Sequence, residues 1–361
     1  MHRFSKLIIG LAALFMLVSA SGVVFAADEI HWTILGQDSI GFDWRGADGS
    51  VGEQTIQWGT SPGTYTFSAL GAVPNPWPDS SAGPFWEAAL TGLSPDTTYY
   101  YTIGNSTEST FRTPPAPGTS DFWFSQQADV GAGVSGQYPL AADVQDDIAA
   151  DNASVPGDDR PRFLLLSGDI SYADDKGITA VDNHFNMVMR WSRWAAYMVA
   201  WGNHDNGGTD GRDEYEGRFI FPNPQDSPNA PADGGPGEEW YWFDYGNVRF
   251  ISYPEPYSGA WADWNTRAGP IMAAAQSDPN ITFIVTWGHR PPYSSGLDHG
   301  SDTTIQGILN GFKAQYSKYV LNISGHSHHY ERSIPAQTSG VLYVTGGGGG
   351  GTLGGLQASP P

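Results

Sequence analysis

The chain has 361 residues, with 38 acidic against 17 basic side chains and no cysteine. A formal net charge of −21 argues against nucleic acid or an anionic membrane as a partner, because phosphate groups are repelled at long range. The absence of cysteine excludes disulfides, zinc–thiolate sites, iron–sulfur clusters and thiol nucleophiles, while 40% hydrophobic residues supply enough apolar surface for packed cores.

In chain order, Arg3 and Lys6 precede an apolar run, Leu7 to Phe25, that closes on Val24-Phe25-Ala26. A basic start, an apolar middle and a small-residue exit read as a secretory signal over residues 1–26. An uncleaved anchor helix over Leu7 to Ala27 is the alternative, and Asp28-Glu29 directly after the exit favours cleavage. The mature chain is therefore expected to be secreted, extracellular or periplasmic, with no stable membrane association. Residues 27–112 show short alternating runs such as Thr55–Gly59 and Tyr99–Ile103, broken by Gly, Pro, Ser and Asp, with no helical period. That pattern predicts a β-sandwich. Residues 113–118 form a proline-stiffened linker. From residue 119 to 361 the apolar strand-like runs are Phe122–Ser125, Phe163–Leu166, Tyr197–Ala200, Ile281–Thr286 and Tyr319–Ile323, each ending abruptly in polar residues. Helical intervals at Pro139–Ala150 and Asp182–Ala195 separate several of them. Buried strands alternating with helices predict an α/β domain whose site lies outside the carboxyl ends of the strands.

The polar residues at those ends are Asp129, Asp169, Tyr172, Asn203, His204, His289, His326 and His328. Imidazole, carboxylate, amide oxygen and phenolate are the ligand set of hard or borderline divalent and trivalent metals. Any one of these residues alone reads as a cap or a solvated side chain; the set reads as a metal site.

The spacing of Gly168-Asp169-x-x-Tyr172, Gly202-Asn203-His204-Asp205 and Gly325-His326-x-His328 resembles the metallophosphoesterase (calcineurin-like phosphoesterase) superfamily, and more closely the purple acid phosphatases. Trp240–Val248 and Tyr330-Glu331-Arg332-Ser333 are also similar to that family. Leu93-Ser94-Pro95-Asp96-Thr97-Thr98-Tyr99 resembles the tyrosine corner of fibronectin type III domains. The resemblance runs from about Ile30 to Gly351. Most superfamily members begin with Asp-x-His; here Asp129-Val130-Gly131 lacks that histidine, and Tyr172 stands where purple acid phosphatases supply a tyrosinate.

The resemblance implies a fibronectin type III-like sandwich followed by a metallophosphoesterase domain with a β-sandwich core flanked by helices. It implies a dinuclear acid phosphatase that hydrolyses small phosphate monoesters by attack of a metal-bound hydroxide. Asp129, Tyr172 and His328 would hold Fe(III); Asn203, His289 and His326 would hold a divalent Zn, Fe or Mn; Asp169 would bridge. His204 and His299 are the implied catalytic contacts to the phosphoryl group or leaving oxygen. His329 receives no role, and Asp205 and Asp244 are candidates to support ligands from behind. Two alternative functions fit the sequence: a phosphodiesterase or nucleotide-directed hydrolase using the same site, and an exported carbohydrate- or surface-binding protein built on the sandwich. Two departures from the family pattern stand out. Tyr253-Pro254-Glu255-Pro256 replaces the usual continuation after Val248–Ser252 and alters the floor or rim of the pocket. The chain also stops at Pro360-Pro361, short of the family's closing strand, so either the sequence is truncated at its C-terminus or the sheet edge is closed otherwise.

Overall fold

The structure is a computed structural model that describes residues 26–46, 52–78, 83–131, 141–155, 162–205, 213–227, 238–256 and 259–357. The expected signal segment lies almost wholly outside the described residues, as does much of the stretch 206–239.

Seven strands form the first unit: β1 (Asp28–Gly36), β2 (Ser39–Arg45), β3 (Thr55–Gly59), β4 (Phe67–Leu70), β5 (Phe85–Leu90), β6 (Thr98–Ile103) and β7 (Ser109–Arg112). They pair antiparallel in two sheets, ordered β1-β2-β5 and β4-β3-β6-β7. The period of two along β6 sends Tyr99, Tyr101 and Ile103 inward, where Tyr101 meets Phe42 at 4.8 Å and Tyr99 stacks on Phe111 at 5.1 Å. Tyr99 Oη accepts the Ser94 N–H at 2.9 Å, so the corner expected from Leu93–Tyr99 is present.

The second unit also has two sheets. β8 (Ser125–Gln127), β9 (Phe163–Ser167) and β10 (Ala196–Ala200) are parallel, with β9 central. The larger sheet runs β11 (Trp242–Tyr245), β12 (Val248–Ser252), β13 (Phe283–Trp287), β14 (Tyr319–Ser324), β16 (Leu342–Gly346) and β15 (Tyr330–Arg332). Its four central strands are parallel, and β11 and β15 are antiparallel edges. The sheets face each other through aromatics, with the Phe163 ring 5.6 Å from Phe243 and 5.3 Å from Phe250. Every β9 side chain is buried, which explains its unbroken apolar run. The first strand begins at Ser125 and not at Phe122 as its composition suggests. Phe122 and Phe124 serve the aromatic core instead, packing on Tyr245 at 4.7 Å and Phe163 at 5.3 Å. The sheet edge beyond β16 is covered by β15.

Helices cover the outer faces. α1 (Ala141–Ser154) and α3 (Thr179–Ser192) lie within a few residues of the expected intervals; between them is the single-turn α2 (Ala173–Lys176). α3 buries Val181, Phe185, Val188 and Trp191, a three-to-four spacing that makes one apolar stripe. After the short α4 (Asp213–Glu216), α5 (Ala260–Ser277) and α6 (Thr303–Gln315) pack Trp264, Met272, Leu309 and Phe312 on the larger sheet. Asp302 caps α6 by accepting from the Thr304 and Ile305 N–H groups.

The two units share one hydrophobic core, because β1 lies against α3 and β10. His31 bridges them, its ring nitrogens each 2.6 Å from a carbonyl oxygen, one of Glu29 and one of Arg218. Beside it Arg218 pairs with the buried Glu29 and, at 2.7 Å, with Asp182; Arg45 pairs with Asp28 at 2.8 Å and Glu29 at 3.1 Å. No helix among the described residues is long and apolar enough to cross a membrane.

Candidate metal centre

Five strand ends deliver the expected residues to one place. Asp129 follows β8, Asp169 and Tyr172 follow β9, Asn203 follows β10, His289 follows β13, and His326 and His328 follow β14. The backbone there is forced. Eight non-glycine residues among those described have positive φ, and four of them are Asp129, Asp169, Tyr172 and His326, at 55° to 68°. Each such conformation costs roughly 1–3 kcal/mol and persists only where surrounding structure imposes it. Gly168 turns the chain into Asp169 with φ of 81°, and a Cβ there would lie 2.6 Å from His289 Nδ1. At Gly202 a Cβ would fall 2.2 Å from Asp169 Oδ1, so the glycine before Asn203 is required by contact.

Two groups of donor atoms result. In the first, His289 Nε2 lies 3.1 Å from Asn203 Oδ1, 3.2 Å from Asp169 Oδ2 and 3.1 Å from His326 Nδ1. In the second, Tyr172 Oη lies 3.3 Å from Asp129 Oδ1 and 3.2 Å from His328 Nε2, and those two atoms are 3.4 Å apart. Neighbouring donors about 2.1 Å from a six-coordinate cation are about 3.0 Å from each other, so both groups fit a metal ion. Asp169, His289 and His326 are all buried and bring ligand atoms within 4.8 Å of one another.

The imidazoles are oriented from behind. His289 Nδ1 is 2.8 Å from Ser167 O and His328 Nδ1 is 3.1 Å from Thr352 O; each nitrogen donates there, which turns the Nε2 lone pair inward. Asp205 accepts from the N–H groups of Asp169 (2.9 Å), Ile170 (2.8 Å) and Gly202 (2.7 Å), fixing the turn that carries Asp169. Asp244 does not support a ligand: it pairs with Arg249 at 2.7 Å on β11 and β12, away from the centre. The His329 ring turns to Ser327 Oγ at 3.0 Å.

Without a cation's charge the groups compete for protons. Burial pushes the Asp129 carboxyl up, while burial and the charges of His289, His299 and Arg290 push His326 down. Burial resists a charge on His289, yet the Asp169 carboxylate outweighs it and drives the imidazole up to about 10. A multivalent cation satisfies all these lone pairs together, the chemistry expected of a metal's ligands. His204 stands next to this set. Burial opposes its charge, but Asp174 Oδ2, 2.7 Å from Nδ1, and Asp169 raise it to about 9. His299 stacks on His326 at 3.8 Å between ring centres, and burial lowers its pKa. Asp174 and Arg290 also reach the site and were not singled out from sequence; Glu255, which pairs with Arg290, was noted only as part of the stretch 253–256. Arg290 directly follows His289, but adjacency to a ligand was its only signal.

The chain matches the Calcineurin-like phosphoesterase family over residues 101–330 and the Purple acid Phosphatase, N-terminal domain over residues 27–125. An uncharacterized protein of Mycobacterium tuberculosis is 31% identical over 278 residues, which are 69% of this chain and 50% of that protein. Purple acid phosphatase 22 of Arabidopsis thaliana is 24% identical over 340 residues, 89% of this chain and 71% of the relative. The chain thus spans about half the length of the first of these relatives. In fold it is similar to a purple acid phosphatase from yellow lupin (Lupinus luteus) seeds, with a TM-score of 0.72 at 19% identity over 93% of this chain and 67% of that one. The family implies a dinuclear metal centre, and the donor geometry agrees with one. With most of its length inside the family match, the chain belongs to the calcineurin-like phosphoesterases and is a purple acid phosphatase-like member of them.

Proposed function

We propose that the chain is a phosphatase that hydrolyses small phosphate monoesters at a dinuclear centre. Asp129, Tyr172 and His328 would hold one cation, Fe(III); Asn203, His289 and His326 would hold a divalent Zn, Fe or Mn; Asp169 would serve both. The observation that carries this reading is the pair of donor groups, one containing the Tyr172 phenol oxygen and the other two imidazoles, an amide oxygen and the Asp169 carboxylate. A hard anionic phenolate suits a trivalent ion, and imidazole with an amide oxygen suits a borderline divalent one. When bound, the two ions supply Lewis acidity and an activated water for in-line displacement at phosphorus.

The chain's own residues do the rest. His204, paired with Asp174 at 2.7 Å and lying beside the Tyr172 ring, would donate to the phosphoryl or leaving oxygen. His299 approaches from the His326 side and fixes the phosphoryl group. Because the chain carries −21, attraction of an anionic ester is local to the centre and favours compact esters over polyanionic polymers. Residues 27–112 act as a scaffold joined by 113–118 to the catalytic unit at 119–361, and residues 1–26 direct export.

The test compares p-nitrophenyl phosphate with bis-p-nitrophenyl phosphate on metal-replete protein. Faster monoester turnover is expected. Faster diester cleavage would assign the same centre to a phosphodiesterase, and turnover of neither would overturn the reading.

A further inference from the structure

Beside the centre lies an arginine held in an unusual way. Beyond β12 the chain runs Tyr253-Pro254-Glu255-Pro256. Its backbone is pinned by Trp261, whose Nε1 donates to Pro254 O at 2.7 Å. Glu255 is 3% exposed, and its Oε2 accepts from Arg290 Nε at 2.8 Å. Its Oε1 has no hydrogen-bond partner among the described residues. Tyr253 Oη donates to Arg290 O at 2.9 Å, so the arginine is fixed at both backbone and Nε.

An arginine serving only to neutralise a buried carboxylate would engage it with two parallel N–H groups. Here Nε holds the carboxylate and Nη1 turns toward His326. Arg290 Nη1 is 3.5 Å from His326 Nε2, and the side chain keeps 28% of its exposure. No carboxylate or carbonyl among the described residues takes Nη2. The guanidinium therefore offers donors beside His326, on which His299 stacks at 3.8 Å, on a chain whose net charge otherwise repels anions.

Resting on the phosphatase reading above, we propose that Arg290 sets substrate specificity by gripping a second anionic group that lies next to the scissile phosphoryl. Glu255 is its positioning residue. The ligand class is a phosphate ester or anhydride bearing a neighbouring phosphate or carboxylate, and esters of uncharged alcohols lack the group that Arg290 recognises. Charged hydrogen bonds of this kind change affinity by about ten- to a hundredfold.

The test is calorimetric binding of three non-hydrolysable probes to the metal-loaded full chain: methylenediphosphonate, phosphonoacetate and phenylphosphonate. Arg290→Gln is expected to weaken methylenediphosphonate or phosphonoacetate at least tenfold more than phenylphosphonate, and whichever of the two loses more shows whether phosphate or carboxylate is the favoured group. Arg290→Lys should restore part of that selectivity. Glu255→Ala should lose selectivity with a smaller change, about three- to tenfold, and Glu255→Gln, which keeps an acceptor for Nε, should lose less. Unchanged melting temperatures establish that the variants fold. Equal losses for all three probes, in a protein that still hydrolyses p-nitrophenyl phosphate, would overturn the role of Arg290 and leave the phosphatase reading intact. If wild-type protein neither binds phenylphosphonate nor hydrolyses that ester, the phosphatase reading fails and this inference fails with it.

Discussion

Among the described residues, two clusters of ionisable groups are built on opposite principles. Where the sandwich meets α3, two guanidinium groups, Arg45 and Arg218, stand against Asp28, Glu29 and Asp182, each charge facing one of the other sign. Arg218 also lies over the Phe85 and Phe185 rings, at 4.5 and 5.0 Å. Burial still pulls the Glu29 carboxyl up to about 7, so pairing offsets the desolvation only in part. At the strand ends, by contrast, carboxylates, imidazoles and a phenol aim lone pairs at common points, on backbone held at positive φ. The first cluster is complete with protein charges alone and serves assembly. The second is the one proposed to take cations, and on that reading its strain is the cost of holding ligands ready.

The comparison breaks most sharply at Asp169. Asp169→Ala removes the ligand proposed to serve both ions, and metal analysis of the purified variant should find both lost while the fold, followed by circular dichroism, persists. Two ions retained per chain would separate the donor groups and end the bridging assignment.

At the interface the corresponding break is Arg218→Met. It leaves Glu29 buried with Arg45 alone, and urea unfolding should show a loss of about 3–5 kcal/mol. A change below about 1 kcal/mol would mean that the cluster is not what joins the units.

A pH titration sharpens the contrast further. His184 is fully buried, with Nδ1 3.0 Å from Gly131 O and Nε2 2.8 Å from Tyr197 Oη, an arrangement that suits the neutral ring. Burial lowers its pKa from the ordinary 6.5 to about 4. The unfolded chain therefore binds a proton that the folded chain refuses: the stabilisation is complete above pH 6.5 and is lost as pH falls toward 4. The span corresponds to about 3 kcal/mol. In His184→Leu, the slope of unfolding free energy against pH over that window should be shallower by one proton. An unchanged slope would place the acid sensitivity elsewhere.

The smallest effect belongs to Asp244→Asn. Its pair with Arg249 is solvent-exposed on the aspartate side, and urea unfolding should change by less than about 1 kcal/mol, with metal content unaffected. A loss of metal would return Asp244 to the role of ligand support.

The centre was legible in sequence because several of the proposed ligands stand a few residues past an apolar run: Leu164–Leu166 before Asp169, Tyr197–Ala200 before Asn203, Ile284–Thr286 before His289. An abrupt change from buried strand to polar turn survives in one dimension. The sandwich was legible through the period of two and through Leu93–Tyr99, whose hydrogen bond is local. Pairings that depend on sheet order were not. Glu255 and Arg290 are 35 residues apart and meet because β12 and β13 are neighbours; Glu29 and Arg218 are 189 apart and meet across two units. The left-handed conformation of Tyr172 was also hidden, since an aromatic residue carries no signal for it and only the surrounding turn imposes it. Phe122 and Phe124 read as strand because aromatic cores and β-ladders draw on the same residues.

On the reading proposed above, two cations complete this site, one in each donor group. Anomalous diffraction from crystals of the metal-loaded protein tests it most directly. Two peaks are predicted, one among Asp129, Tyr172 and His328 and the other among Asn203, His289 and His326, with Asp169 between them. A single peak, or peaks away from these side chains, would contradict the account.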